Sequence, residues 1–166
     1  MLVAHGVSQG LEPDQDVLNS LNTCTTCGMC EQMCPSGASP VQVVQEARHQ
    51  LVLKGQMTDA QTALRDAAAL GGNTLGETQY RHAWLENDND IKEHASYVFF
   101  VGCLGAYRYP DLTRRTFDLL KKFDVTLIPE EVCCGSPLMR TGLDPDALVS
   151  KNLEQIQRTG AHTVIT

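Results

Sequence analysis

The sequence predicts an α+β chain: a small helical domain over residues 1–70, a linker over 71–95, and an α/β domain with a short parallel sheet over 96–166. Three observations carry this. Four of the seven cysteines crowd into residues 24–34. Apolar positions between 41 and 67 recur at helical spacing. From Ser96 onward, short apolar runs alternate with amphipathic stretches, and a β-α-β-α-β order implies parallel strands with right-handed crossovers. A length of 166 residues suits one ordinary domain or a small cofactor module joined to a larger one.

Residues 12–22 form a short helix leading into the cysteines. After Cys34-Pro35 the chain turns at Ser36-Gly37. Ser39-Pro40-Val41-Gln42 reads as a helix start, with Ser39 capping, Pro40 in the first turn and Gln42 closing a capping box. Val41, Val44, Ala47 and Leu51 follow on one face, and Gly55 stops the helix. A second helix starts at Thr58 with Gln61 three residues later, carries Ala60, Leu64 and Ala67 inward, and stops at Gly71-Gly72. Residues 71–95 are polar and irregular, with Trp84 as their one large anchor. The acidic run Glu86 to Asp90 lacks calcium-loop spacing and reads as solvated.

Tyr97 to Val101 is a continuous apolar run, as expected of a strand buried on both faces. Pro110 to Phe123 is an amphipathic helix whose apolar face is Leu112, Thr116, Leu119, Leu120 and Phe123. Lys121 and Lys122 sit at its C-terminal end, where the helix dipole favours cations. Val125 to Ile128 is a second strand. A helix from Asp144-Pro145 to Gly160 turns Leu148, Asn152, Leu153 and Ile156 inward, and Ala161 to Thr166 is a third strand.

The formal net charge of −7 argues against a nucleic-acid face. No apolar run approaches the ~20 residues needed to cross a bilayer. The N-terminus, MLVAHGVSQG, has neither a basic n-region nor an apolar h-region of a secretory signal. An odd number of clustered cysteines suits metal ligation in a reducing cytoplasm better than disulfides.

Cys24, Cys27, Cys30 and Cys34 with Pro35 spell C-x2-C-x2-C-x3-C-P, the run of bacterial ferredoxins. Two-residue gaps let three cysteines wrap one face of an iron–sulfur cube while backbone amides point at the sulfurs. In two-cluster ferredoxins the fourth cysteine ligates the other cluster, which would reserve Cys34 for a second cube. A structural zinc site is the alternative, but three successive two-residue gaps plus Cys-Pro fit zinc poorly.

A second set, Cys103, Cys133 and Cys134, lies just past the first two strands, where sites form in open parallel sheets. Adjacent Cys133 and Cys134 seldom bridge each other, so they read as metal ligands or redox thiols; the alternative is buried cysteines serving as small apolar residues. Glu130 and Glu131 read as loop charges. His5, His49, His82, His94 and His162 form no ligand spacing. Arg108 reads as a packing or surface salt-bridge residue.

Together the two sets resemble the iron–sulfur subunit family of heterodisulfide reductase: its D, C and B subunits, glycolate oxidase iron–sulfur subunits, anaerobic glycerol-3-phosphate dehydrogenase C subunits and related CCG-domain oxidoreductases. The residues that carry the resemblance are L-N-T-C-T-T-C-G-M-C-E-Q-M-C-P (21–35), G-N-T-L-G (72–76), R-H-A-W (81–84), V-G-C-L-G-A-Y (101–107) and E-E-V-C-C-G (130–135), in that order. They cover nearly the whole chain, from about Leu11 to Thr166. The resemblance implies a ferredoxin-like [4Fe–4S] domain over 1–70 and a partial CCG domain over 96–166. Cys24, Cys27, Cys30 and Cys34 would ligate cubane clusters. Cys103, Cys133 and Cys134 would belong to a catalytic, metal-binding CCG site, which in family members can hold a non-cubane [4Fe–4S] cluster. An upstream ferredoxin motif, a closing C-x-x-C and a second CCG unit are missing from the pattern. The chain is therefore expected to be a middle segment or one part of a split system, with further ligands past Thr166 and three free thiols at the CCG site.

The expected function is an electron-transfer subunit of an anaerobic oxidoreductase complex of the heterodisulfide reductase type, rather than an autonomous enzyme. Its partners would be a flavin- or hydrogenase-type donor and an iron–sulfur neighbour. The setting is cytoplasmic, at the inner membrane face where a partner is a membrane subunit. A non-catalytic zinc-binding or docking module is the alternative.

Overall fold

The computed structural model describes residues 2–10 and 12–166; Met1 and Leu11, where the family resemblance begins, lie outside the described residues. The chain divides into two compact units, Met1–Arg65 with Ser136–Asp144, and Asp66–Gly135 with Pro145–Thr166. Residues 71–95 lie within the second unit.

In the first unit, α1 (Leu2–Ser8), α2 (Gln15–Asn22) and α4 (Pro40–Leu53) bury a shared core of Ala4, Val7, Leu21, Val44, Ala47 and Leu51. Three of these lie on the expected face of α4, while Val41 is half-buried. Asp14 caps α2 by accepting a hydrogen bond from Val17 N at 2.9 Å. The short α3 (Met29–Gln32) carries Cys30. Helix α1 has no local signal in the sequence; Ala4 and Val7 hold it through the core rather than through propensity.

The capping box expected at Ser39 and Gln42 does not form. Ser39 lies at φ −105°, ψ 77°, and its hydroxyl makes no capping bond. The box appears instead at the next helix, α5 (Asp59–Gly71): Gln61 N donates to Thr58 Oγ1 at 3.2 Å and Thr58 N donates to Gln61 Oε1 at 2.8 Å. That turn draws Gln61 inward to donate to Thr141 O at 2.7 Å. Consequently Gln61 and Ala68 are buried, while Ala60, expected inside, is exposed. Gly55 ends α4 as expected, at φ 76° with Gln56 N bonded to Leu51 O.

The segment Ser136–Asp144 contains α8 (Ser136–Arg140), which the sequence did not announce. His49 Nδ1 lies 2.9 Å from Gly142 O. A Cβ at Gly142 would sit 2.5 Å from the carbonyl carbon of Arg48, and φ there is +84°. Only glycine fits.

The second unit is built on three parallel strands, β1 (Tyr97–Phe99), β2 (Val125–Leu127) and β3 (Thr163–Ile165), in the order β2-β1-β3. Tyr97 pairs with Val125 on one side and Thr163 on the other. Each strand is shorter than expected, because Val101 already serves as the N-cap of α6 (Gly102–Tyr107). The core is Trp84, Phe99, Phe117, Val125 and Leu127. Trp84 meets Phe117 edge-on with ring centroids 5.9 Å apart, and Phe99 stacks on Phe117.

Helix α7 (Pro110–Leu120) corrects the expected burial. Its inner face is Thr113 and Phe117, with Leu120 half-buried; Leu112, Leu119 and Phe123 are 64%, 63% and 61% exposed. Phe117 decides the rotation, since its ring is the one gripped by Trp84 and Phe99. In α9 (Asp146–Thr159) Asn152, Gln155 and Thr159 are buried and Leu153 is exposed, also against expectation. Gly160 ends α9 at φ 69°. No helix among the described residues is long and apolar enough to cross a membrane.

Phe117→Ala should lower unfolding free energy by about 3–5 kcal/mol, whereas Leu119→Ser should stay within about 0.5 kcal/mol. Urea denaturation followed by circular dichroism measures both; equal effects would mean that the exposed stripe, not Phe117, faces the core.

Candidate functional site

The first cysteine set begins where α2 ends. Cys24 N bonds to Leu21 O, and Cys24 packs against the core of the first unit. Thr26 follows at φ 52°, rare for a residue with a Cβ, and Gly28 at φ 80° turns the chain into α3. Cys24 and Cys34 are half-buried; Cys27 and Cys30 are exposed, and all seven cysteines are free thiols. Cys24 and Cys30 line one cavity of about 630 Å³ together with Val3, Ala4, Ser20, Leu21, Pro40 and Val44.

Backbone amides do point at sulfurs here. The Met29 amide, then the Thr25 side chain, holds the Cys27 thiol below its ordinary pKa. The Ser36 hydroxyl, 3.1 Å from Cys34 Sγ, and the amides of Ser36, Ala38 and Gly37 do the same for Cys34. Such donors favour the thiolate, the form that ligates metal.

Arg48 reaches this loop from α4. Its Nη2 donates to the carbonyls of Cys24 at 2.6 Å and Leu21 at 2.5 Å. Burial lowers the pKa of its guanidinium, and the nearby Cys24 sulfur opposes that shift.

The second set lies at the carboxyl ends of β1 and β2. Cys103 sits in the first turn of α6. Cys133 follows β2 and is buried, whereas Cys134 is exposed. Cys103 and Cys133 are hydrogen-bonded to each other. That bond, against the cost of burial, brings the Cys133 pKa down to about 5; the same bond and burial raise that of Cys103. At neutral pH the pair therefore holds one negative charge. Thr74 Oγ1 lies 3.8 Å from Cys133 Sγ. Asn152 of α9 clamps the loop, donating to the Val132 and Cys133 carbonyls and accepting from Val132 N at 3.0 Å.

Beside the pair stands a buried ion pair. Arg81 Nη1 donates to Glu131 Oε1 at 3.0 Å, and Nη2 lies 3.4 Å from Cys103 Sγ. The Arg81 guanidinium also lies over the Tyr107 ring, 5.3 Å from its centroid. Glu131 accepts from the amides of Val101 and Gly102, both at 2.8 Å. Glu131 is thus no loop charge: it fixes the entry to α6 and so the placement of Cys103. Glu130 does behave as one, pairing with Lys151 at 3.2 Å while exposed. Arg108 pairs with Glu77, as a surface salt bridge. Buried His82 presents Nε2 to Ile128 O at 2.9 Å.

Among the described residues, no three Cys, His, Asp or Glu side chains converge as a metal-binding group. Two pairs are brought together instead, Cys24 with Cys30 around one cavity and Cys103 with Cys133 by a hydrogen bond. The donor chemistry in both places is sulfur favoured as thiolate, which fits a thiolate-bound group. Arg81, Glu131, Thr74 and Asn152 escaped sequence reasoning as site residues. Only Arg81 carried a signal, its place in R-H-A-W.

Residues 97–166 match the family described as "CCG: Cysteine-rich domain". They are a CCG cysteine-rich domain. The CCG chain is homologous, over 91% of its length, to the D-type subunit of the dihydromethanophenazine:CoB–CoM heterodisulfide reductase of Methanosarcina barkeri, with 33% identity. It is 30% identical to the B-type subunit of the fumarate reductase (CoM/CoB) of Methanothermobacter marburgensis over 90% of this chain and 31% of that one. It is 26% identical to the "Probable glycolate oxidase iron-sulfur subunit" of Bacillus subtilis over 76% of this chain and 39% of that one. The chain spans 39% of the length of the Methanosarcina barkeri protein. No solved structure matches.

Glu131→Ala removes one partner of the buried ion pair and two amide acceptors, and should cost about 3–5 kcal/mol of stability. Glu130→Ala should change it by less than about 0.5 kcal/mol. Thermal unfolding of both variants checks this; similar effects from the two glutamates would remove Glu131 from its assigned place.

Proposed function

We propose that this chain is an iron–sulfur electron-transfer subunit of an oxidoreductase complex of the heterodisulfide reductase type. The observation that carries this is the segregation of the cysteines: Cys24, Cys27, Cys30 and Cys34 lie in one compact unit, Cys103, Cys133 and Cys134 in the other. Homology to subunits of multisubunit redox enzymes supports the same reading.

Cys24, Cys27, Cys30 and Cys34 are the residues that would hold [4Fe–4S] chemistry, in a ferredoxin-like helical domain. The bound cluster supplies one-electron transfer; the chain contributes thiolates kept in their ligating form by the amides around Cys27 and Cys34. Cys24, Cys27 and Cys30 serve one cube and Cys34 reaches another. Cys103, Cys133 and Cys134 form part of the CCG site, which takes a non-cubane cluster once further ligands complete it. At that site Arg81 balances the negative charge of the Cys103–Cys133 pair, and Asn152 and Glu131 hold the two loops in place. Electron transfer of this kind requires closely spaced cofactors rather than acid–base residues. The partners are a flavin- or hydrogenase-type donor and an iron–sulfur neighbour, in the cytoplasm of an anaerobe, with a membrane subunit where the complex has one.

Anaerobically prepared protein should contain iron and acid-labile sulfide and show the broad brown absorbance of iron–sulfur clusters. Cys27→Ser should remove most of that absorbance, and Cys133→Ser should leave most of it. Zinc without sulfide would replace electron transfer with a structural role. Equal loss in both variants would refute two separate sites.

A further inference from the structure

Among the described residues of the first unit, Arg48 is the one buried charged side chain, 5% exposed. It meets no carboxylate there. Its bonds run to neutral carbonyls: Nε and Nη2 to Leu21 O, Nη2 to Cys24 O, and Nη1 to Arg140 O. Four N–H donors of the five that a guanidinium carries are used in this way. A buried cation without an anion is strongly unfavourable. The anionic groups closest in the chain are the thiolates of the Cys24 loop, and the carbonyl that Arg48 grips belongs to Cys24 itself. Lining the cavity beside Arg48 are Asn22, Cys24, Thr25, Thr26, Arg140 and Thr141, none of them acidic.

Hydrogen bonding alone does not require this residue. Carbonyls at the end of α2 would accept equally from neutral donors or water. A guanidinium adds a fixed positive charge one residue away from the first sulfur of the run, and Gly142 closes backbone-to-backbone against Arg48.

We propose that Arg48 is a positioning residue that supplies the buried counter-charge of the cluster site at Cys24, and thereby makes that site easier to reduce. This rests on the reading that Cys24, Cys27, Cys30 and Cys34 hold an iron–sulfur cluster. Reduction adds one electron, taken from dithionite in the test below, and no bond to the protein forms or breaks. The added negative charge is favoured by a cation held in a low-dielectric setting.

The test is an EPR-monitored anaerobic redox titration of the whole chain, wild type beside Arg48→Lys, Arg48→Gln and Arg48→Met, with iron and sulfide content and circular dichroism of each. Arg48→Gln and Arg48→Met should show a reduced-to-oxidised ratio about tenfold lower at the same applied potential, a midpoint about 59 mV more negative for one electron. Arg48→Lys keeps the charge and should shift by less than half as much. Wild-type midpoints in folded, loaded Gln and Met variants would overturn the proposal, as would equal shifts in all three. Loss of folding in both neutral variants would mark Arg48 as a clamp on carbonyls and overturn it too. Wild-type protein without iron and sulfide would remove the cluster reading itself, a different result from an unmoved midpoint in a loaded protein.

Discussion

The geometry of the second unit depends on one carboxylate. Glu131 is enclosed, and its two oxygens are used by Val101 N, Gly102 N and Arg81. The first two amides open the helix that bears Cys103. The third partner comes from residues 71–95 and lies beside the same sulfur. Desolvating such a pair costs about as much as its attraction returns, so it contributes little net stability. What it contributes is placement. It ties the end of β1, the loop after β2 and the 71–95 segment into one rigid corner, and both buried thiols sit in that corner.

What could be read from the sequence was what is encoded locally. The spacing of Val44, Ala47 and Leu51 marked the inner face of α4, and Thr58 with Gln61 marked a helix start that the structure closes at both bonds. The cysteine run stood out because cluster ligation demands fixed short gaps. Helix α7 shows the limit. Two stripes one residue apart, Leu112-Thr116-Leu119 and Thr113-Phe117-Leu120, both fit a helical period. Counting apolar residues selects the first; the ring contacts of Phe117 with Trp84 and Phe99 select the second. The supporting residues of the site were invisible for a related reason. Asn152, Glu131, Arg81 and Thr74 reach their partners across 19 to 59 residues, and no local spacing records such contacts.

Two buried arginines solve the same problem differently. Arg81 is met by a carboxylate, an aromatic face and a sulfur, so its charge is largely neutralised within the protein. Arg48 is met by carbonyl dipoles alone, so its charge is left to act on whatever occupies the loop it holds. Arginine suits both because its planar fork can serve several acceptors at once; lysine, a point charge with three rotatable donors, matches neither pattern of contacts.

The segment Ser136–Asp144 has a topological consequence. It belongs to the first unit yet is encoded after two of the three strands of the second, so the chain crosses the boundary three times, after residues 65, 135 and 144. No single cut in the sequence releases either unit whole. A piece ending near residue 95 would lack Gly142 and the Arg140 carbonyl that Arg48 grips, and a piece starting there would lack Arg81. During synthesis the cluster unit stays unfinished until the CCG cysteines have already emerged. Strand β3 follows only after that segment, pairing with β1 across 66 residues where β2 pairs across 28. The longer closure costs about 0.8 kcal/mol more in chain entropy. The two units are therefore interleaved steps of one folding process rather than beads on a string.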